Sequence, residues 1–208
     1  MDNKRIALII FGSIIIFAFG MILFPVLLLF VLSSKEFSLF HRYMPSICTM
    51  FIISVFLTKM VGVRKLIFST GTKSVKAASL GVLASLIYSV ITNQLFYNPL
   101  RQDIRALNGY KYIAIILLFG LLGPIFEEIV FRAYVFEFTR RSYGVGIAWC
   151  VNMFVSIASH YVFALDKINI PQIMYMFVGV SIITFTYQYG GLYASITVHG
   201  FMNISGFT

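Results

Sequence analysis

The sequence predicts an all-α fold: a polytopic bundle of about seven transmembrane helices around an intramembrane polar cavity, built as one domain over residues 1–208. Three observations point there. Hydrophobic residues make up 60% of the chain and charged residues 11%, with a mean hydropathy of +0.92, outside the range of soluble globular domains. The apolar residues fall in runs of membrane-spanning length, and the basic residues collect in short loops between them. One run, however, contains Gly123-Pro124-Ile125-Phe126-Glu127-Glu128-Ile129-Val130-Phe131-Arg132, with two carboxylates and a guanidinium in apolar surroundings. Each such charge costs on the order of 3 kcal/mol in a bilayer unless it is paired, wetted or used.

Taken in order, Met1 to Arg5 is a short basic start, and Ile6 to Leu32 is an apolar run without a charge. At about 27 residues it exceeds a signal-peptide core, and it is expected to stay as the first span. Pro45 opens a second span that runs to about Val63. Lys59, Arg64, Lys65, Lys73 and Lys76 then follow with no acid among them, the pattern of a cytoplasmic loop. The third span, about Ala77 to Tyr97, has Ala77, Gly81, Ser85 and Ser89 spaced by four, so this face is expected to pack closely on another helix. A fourth apolar region, Tyr112 to Phe138, would be about 40 Å long as one straight helix. Gly120, Gly123 and Pro124 mark a break in it, giving either two elements or one kinked helix. The fifth span, about Val145 to Leu165, holds His160. Asn169 and Pro171 start a sixth that reaches Tyr189, and Gly190-Gly191 separates it from a last segment, Leu192 to Phe207, with His199 and Asn203.

Seven spans with the N-terminus inside place Lys4, Arg5, the five basic residues of 59–76, Arg140 and Arg141 on the inner side. Lys35, Arg42, Arg101, Arg105, Lys111 and Lys167 fall outside. The excess favours a multi-pass cell-membrane protein with a cytoplasmic N-terminus. The net charge of +9 is therefore a matter of topology and anionic lipid head groups, and no nucleic-acid partner is implied. Cys48 and Cys150 both lie within apolar spans and read as packing residues, not a disulfide.

The polar residues inside spans carry the chemistry. On a helix Glu128 and Arg132 share a face and can form a charge-assisted pair, whereas Glu127 points about 100° away and stays the freer carboxylate, a candidate general base. His199 and Asn203 also share a face, where an imidazole and a carboxamide could hold a developing oxyanion. His160 stands alone on its span. Glu127, His160 and His199 could equally make the three-ligand set of a catalytic zinc, although no His-Glu-x-x-His is present. Glu137 with Arg140 and Arg141 reads as an interfacial ion pair worth under about 1 kcal/mol.

The series Glu127-Glu128-x-x-x-Arg132, a span with His160, and Gly191-Leu192-x-x-x-Ile196-x-x-His199-x-x-x-Asn203 resembles the CPBP family, the CAAX-protease and bacteriocin-processing intramembrane peptidases also called Abi. The resemblance covers about residues 113–205. It implies a helical membrane bundle that cleaves peptide bonds in or near the bilayer. Glu127 with His160 would activate the attacking water, His199 with Asn203 would stabilise the oxyanion, and Glu128 and Arg132 would support them. The family's members often carry the label metalloprotease, yet this mechanism requires no metal. One departure falls beside His160: the family has an aromatic residue four positions earlier, and here that position is Ser156.

The leading expectation is thus an intramembrane endopeptidase acting on a membrane-associated or lipid-modified peptide or protein, in bacteriocin or pheromone maturation or self-immunity. Its rival is a noncatalytic immunity protein that binds a bacteriocin or its receptor. A third reading is a proton or ion carrier using the buried Glu and His residues.

Overall fold

The computed structural model describes residues 47, 48, 50–55, 57, 72–95, 109–164 and 170–207, and all regular structure among them is helical. The expected first span, Ile6 to Leu32, and most of the 59–76 loop lie outside the described residues. In chain order the elements are α1 (Thr72–Leu95), α2 (Tyr110–Leu117), a π-helical turn (Leu118–Leu122), α3 (Gly123–Glu128), a π-helical segment (Ile129–Phe136), α4 (Glu137–Tyr143), α5 (Val145–Ala164) and α6 (Ile170–Phe207). Three stretches are long and apolar enough to cross a membrane: Thr72–Gln94, Tyr112–Tyr143 and Ile170–Gly206. Val145–His160, in the expected fifth span, is apolar but shorter. Among the described residues, then, three candidate spans stand where the hydropathy pattern predicted a larger set.

The four-residue stripe of α1 packs against α6. Ser85 is fully buried, and Ser89 Oγ lies 2.7 Å from Ser205 Oγ. A methyl group added at Gly81 would stand 2.5 Å from Val198 Cγ2, so the α1 backbone lies directly against side chains of α6, as small residues permit in a bilayer. Further along the same pairing, Tyr88 donates to the Tyr175 carbonyl at 3.1 Å, and their rings stack with centroids 4.8 Å apart. Tyr88, Ile183, Val198 and Met202 form one buried cluster.

The fourth apolar region is one helical run from 110 to 143, not two separate elements. Its hydrogen bonding loosens on both sides of α3. Pro124 has no N–H to give to residue 120, and its ring crowds that carbonyl, so the chain widens ahead of it. The Gly123 N–H accordingly bonds Leu118 O, five residues back instead of four. The second π segment follows directly after Glu128 and ends with the Glu137 N–H shared between Arg132 O, again five residues back, and Tyr134 O. Its buried Val130, Phe131 and Tyr134 meet Met50, Ile53 and Leu57 in a second cluster. Ala133 and Phe136 meet Ala148 of α5 and Tyr187 and Leu192 of α6 in a third.

Helix α6 is interrupted where the sequence expected two segments. Gly191 has φ 77° and ψ −171°, a conformation essentially confined to glycine. The limb beyond it carries Ser195, His199 and Asn203 back along α3.

Candidate active site

The widened turn and the last limb of α6 together build the site. Gly120 and Gly200 meet at the crossing: a Cβ on Gly200 would overlap the Gly120 carbonyl oxygen. That approach brings residue 199 over residues 127 and 128. His199 Nδ1 lies 2.7 Å from Glu128 Oε1, and the same oxygen accepts from Arg132 Nη1 at 2.8 Å. Glu128 is fully buried and Arg132 is 1% exposed, so the chain holds this three-membered network out of solvent. An ionised carboxylate only accepts, which makes Nδ1 the donor and turns Nε2 to the other side of the ring.

Glu127 occupies that other side. Its Oε2 is 3.7 Å from His199 Nε2 and has no hydrogen-bond partner among the described residues, although the side chain as a whole is 19% exposed. The two neighbouring glutamates therefore differ. Glu128 Oε1 is clamped by two cationic or potentially cationic groups, while Glu127 Oε2 is buried against the imidazole with no hydrogen bond of its own. An acceptor this close to the edge of a histidine can share with it one water or substrate oxygen that bridges the two from the side.

The other expected site residues are placed differently. Asn203 lies one turn beyond His199, as its spacing required, but its Nδ2 donates to Phe119 O at 2.9 Å. His160 is exposed on α5, with Nδ1 2.7 Å from the Ser156 carbonyl of its own helix. Among the described residues no hydrogen bond or ion pair links it to Glu127, Glu128 or His199. The zinc set of Glu127, His160 and His199 is not gathered either: among the described residues no three His, Cys, Asp or Glu side chains cluster so as to hold a metal ion. These residues do not fit a three-ligand zinc site.

Residues 109–205 match the family model described as type II CAAX prenyl endopeptidase Rce1-like. This stretch belongs to the CPBP family. No curated protein and no solved structure matches the chain. The CPBP stretch begins just before α2 and ends within α6, so it contains every ionisable group of the site, while α1 and the helical residues from 47 to 57 pack on it from outside the match. The matched stretch is thus similar to CAAX-type peptidases, and three helices of the chain are long and apolar enough to cross a membrane.

Sequence reasoning missed the bond between His199 and Glu128 and the contact of Gly120 with Gly200. The second left a signal. Glycines at 120 and 200 are small residues within apolar helices, the same cue that identified the packed face of α1. The first left none, because a spacing of four on one helix does not say which residue of another helix it will meet. Asn152 was likewise unread: it is fully buried on α5 and donates to Thr184 Oγ1 at 2.9 Å, joining α5 to α6.

Proposed function

We propose that the protein is an intramembrane endopeptidase that hydrolyses a peptide bond of a membrane-associated or prenylated peptide, with Glu127 as the base that activates water. The observation that carries this reading is the unpartnered Glu127 Oε2 facing His199 Nε2 at 3.7 Å, beside a Glu128 whose Oε1 is held by both Arg132 and His199. In the proposed step a water between the two groups gives a proton to Glu127, and its oxygen bonds to the scissile carbonyl carbon. His199, held by Glu128 through Nδ1 and protonated on both nitrogens, donates Nε2–H to the resulting oxyanion. Glu127 then passes its proton to the departing amine nitrogen as the C–N bond breaks. Asn203 Nδ2 is already given to Phe119 O, so His199 is the oxyanion donor in this reading.

No metal enters the step. His160 shares water activation on the strength of the family resemblance alone, and His160→Ala tests that part separately. The polar hollow that admits water, the seven-span topology with a cytoplasmic N-terminus in the cell membrane, and a place in bacteriocin or pheromone maturation or self-immunity belong to the same proposal.

The test compares peptides, by mass spectrometry, from cells carrying the native chain and cells carrying Glu127→Gln, which keeps shape and removes the charge. Cleavage products should fall by about 10²- to 10⁴-fold while membrane insertion is unchanged. Full cleavage by the variant overturns the assignment. Identical peptides in both cell types would leave the noncatalytic immunity reading in its place.

A further inference from the structure

Buried polar side-chain atoms without a partner are gathered in one part of the bundle. Among the described residues they are Glu127 Oε2, Glu128 Oε2, Arg132 Nε and Nη2, Asn152 Oδ1 and Ser156 Oγ. All belong to the 110–143 run or to α5, the two helical stretches joined at Gly144. The first oxygen lies beside His199, and the rest have no part in the step proposed above. Arg132 gives Nη1 to Glu128 and is 1% exposed, so the Nε–Nη2 edge of its guanidinium, which can grip an acceptor with two parallel bonds, is buried and unused. Packing brings α5 level with it: Ala133 and Phe136 share a cluster with Ala148, and Val155 packs on the cluster of Phe131 and Tyr134. Residue 132 thus stands across from the turn of α5 that holds Asn152, and Ser156 follows one turn later on the same face. Thr184 Oγ1 gives its hydrogen to Val180 O at 2.7 Å and so accepts from Asn152, which fixes Nδ2 toward α6 and leaves Oδ1 over. At Ser156 the carbonyl accepts from Ser159 Oγ and His160 Nδ1, while the hydroxyl bonds nothing.

The set contains donors on Arg132, acceptors on Glu128 and Asn152, and a hydroxyl that can be either. An anion would suit the guanidinium and be repelled by the two oxygens, and a cation would meet the reverse. Water both accepts and donates, and a buried water needs two to four polar partners, which this set supplies. Ser156 is also the position at which the CPBP pattern has an aromatic residue, so a small hydroxyl stands where a ring would fill the space. We infer that ordered water is bound between the Nε–Nη2 edge of Arg132 and the Asn152 Oδ1 and Ser156 Oγ atoms of α5, a resident hydration site inside the helix bundle. It is distinct from the water consumed at Glu127 and does not depend on the endopeptidase reading.

The sign of one substitution tests it. Ser156→Ala deletes the hydroxyl with almost no change of shape, and a dry, unpaired hydroxyl would be relieved by that change, whereas one that binds water would be missed. The baseline is Ser181→Ala, a helical serine whose hydroxyl only returns to its own backbone at Phe177 O, so that the helix preference of alanine is common to both variants. In melting of the full chain in detergent, Ser156→Ala should lie about 2–4 °C below Ser181→Ala. A melting temperature equal to or above that of Ser181→Ala overturns the inference. A crystal structure of the native chain grown from lipid gives the second measurement. It should show density within about 2.7–3.2 Å of Arg132 Nε or Nη2 and also of Asn152 Oδ1 or Ser156 Oγ. A direct bond from Arg132 to Asn152 with no such density overturns the site equally. Neither readout uses peptide cleavage, so both judge the water site even if the chain cleaves nothing.

Discussion

The helical run 110–143 contains the same local pattern twice, a glutamate with arginine one turn later, and the two copies behave differently. At Glu128 the partner is Arg132, with side chains 0% and 2% exposed. At Glu137 the partners are Arg140 and Arg141, 45% and 60% exposed, which grip both carboxylate oxygens at 2.7 to 2.9 Å. The outer cluster is complete in itself and bounded by solvent. The inner one is incomplete: Arg132 Nε and Nη2 and Glu128 Oε2 have no partner among the described residues, and His199 enters from another helix. Spacing creates both pairs, but burial makes only the inner one depend on the rest of the fold.

The largest effect expected from this contrast is on stability. Arg132→Leu strands the Glu128 carboxylate in the interior and should cost about 3–5 kcal/mol, read as loss of folded protein in detergent or in the membrane. Stability within about 1 kcal/mol of native would mean that the inner pair is no more demanding than the outer one. Next, Glu128→Gln keeps the shape but exchanges a charged acceptor for a neutral one under His199 Nδ1. A bond to a charged group contributes about 1.5–3 kcal/mol, so kcat should fall about 10- to 100-fold with less loss of stability than Arg132→Leu. An unchanged kcat would detach Glu128 from the orientation of the imidazole. The smallest effect belongs to the outer cluster. Arg140→Ala leaves Glu137 with Arg141 and a share of solvent, and should change stability by less than about 1 kcal/mol, with activity retained.

Much of the architecture was legible because the bilayer imposes simple rules. Hydropathy located the helices at Thr72, Tyr112, Val145 and Ile170 to within a few residues, and the Ala77-Gly81-Ser85-Ser89 stripe identified a face that does pack on α6. Helical spacing also foresaw the Glu128–Arg132 pair and the separate direction of Glu127, since both are properties of one helix. The crossings could not be read in the same way. Which residue of α6 meets Glu128 depends on the register fixed by Gly120 against Gly200 and on the reversal at Gly191, neither of which hydrophobic periodicity encodes. Two alternatives were left for Pro124, separate elements or a kinked helix, and the chain stays helical through it by widening the turn ahead of the proline. Asn203 was read by its neighbour on the same helix, whereas its amide answers a carbonyl 84 residues earlier in the chain.

The span Tyr112–Tyr143 has 32 residues, and its midpoint falls between Glu127 and Glu128. As a helix it rises about 48 Å, against a hydrocarbon layer of about 30 Å, so it must lean or protrude. A leaning rod pivots about its middle. Thinner or thicker lipid would swing the ends of this one through different depths and leave the two carboxylates where they are. In the proposed function a scissile bond would have to come to the level of these two carboxylates, at the middle of the span.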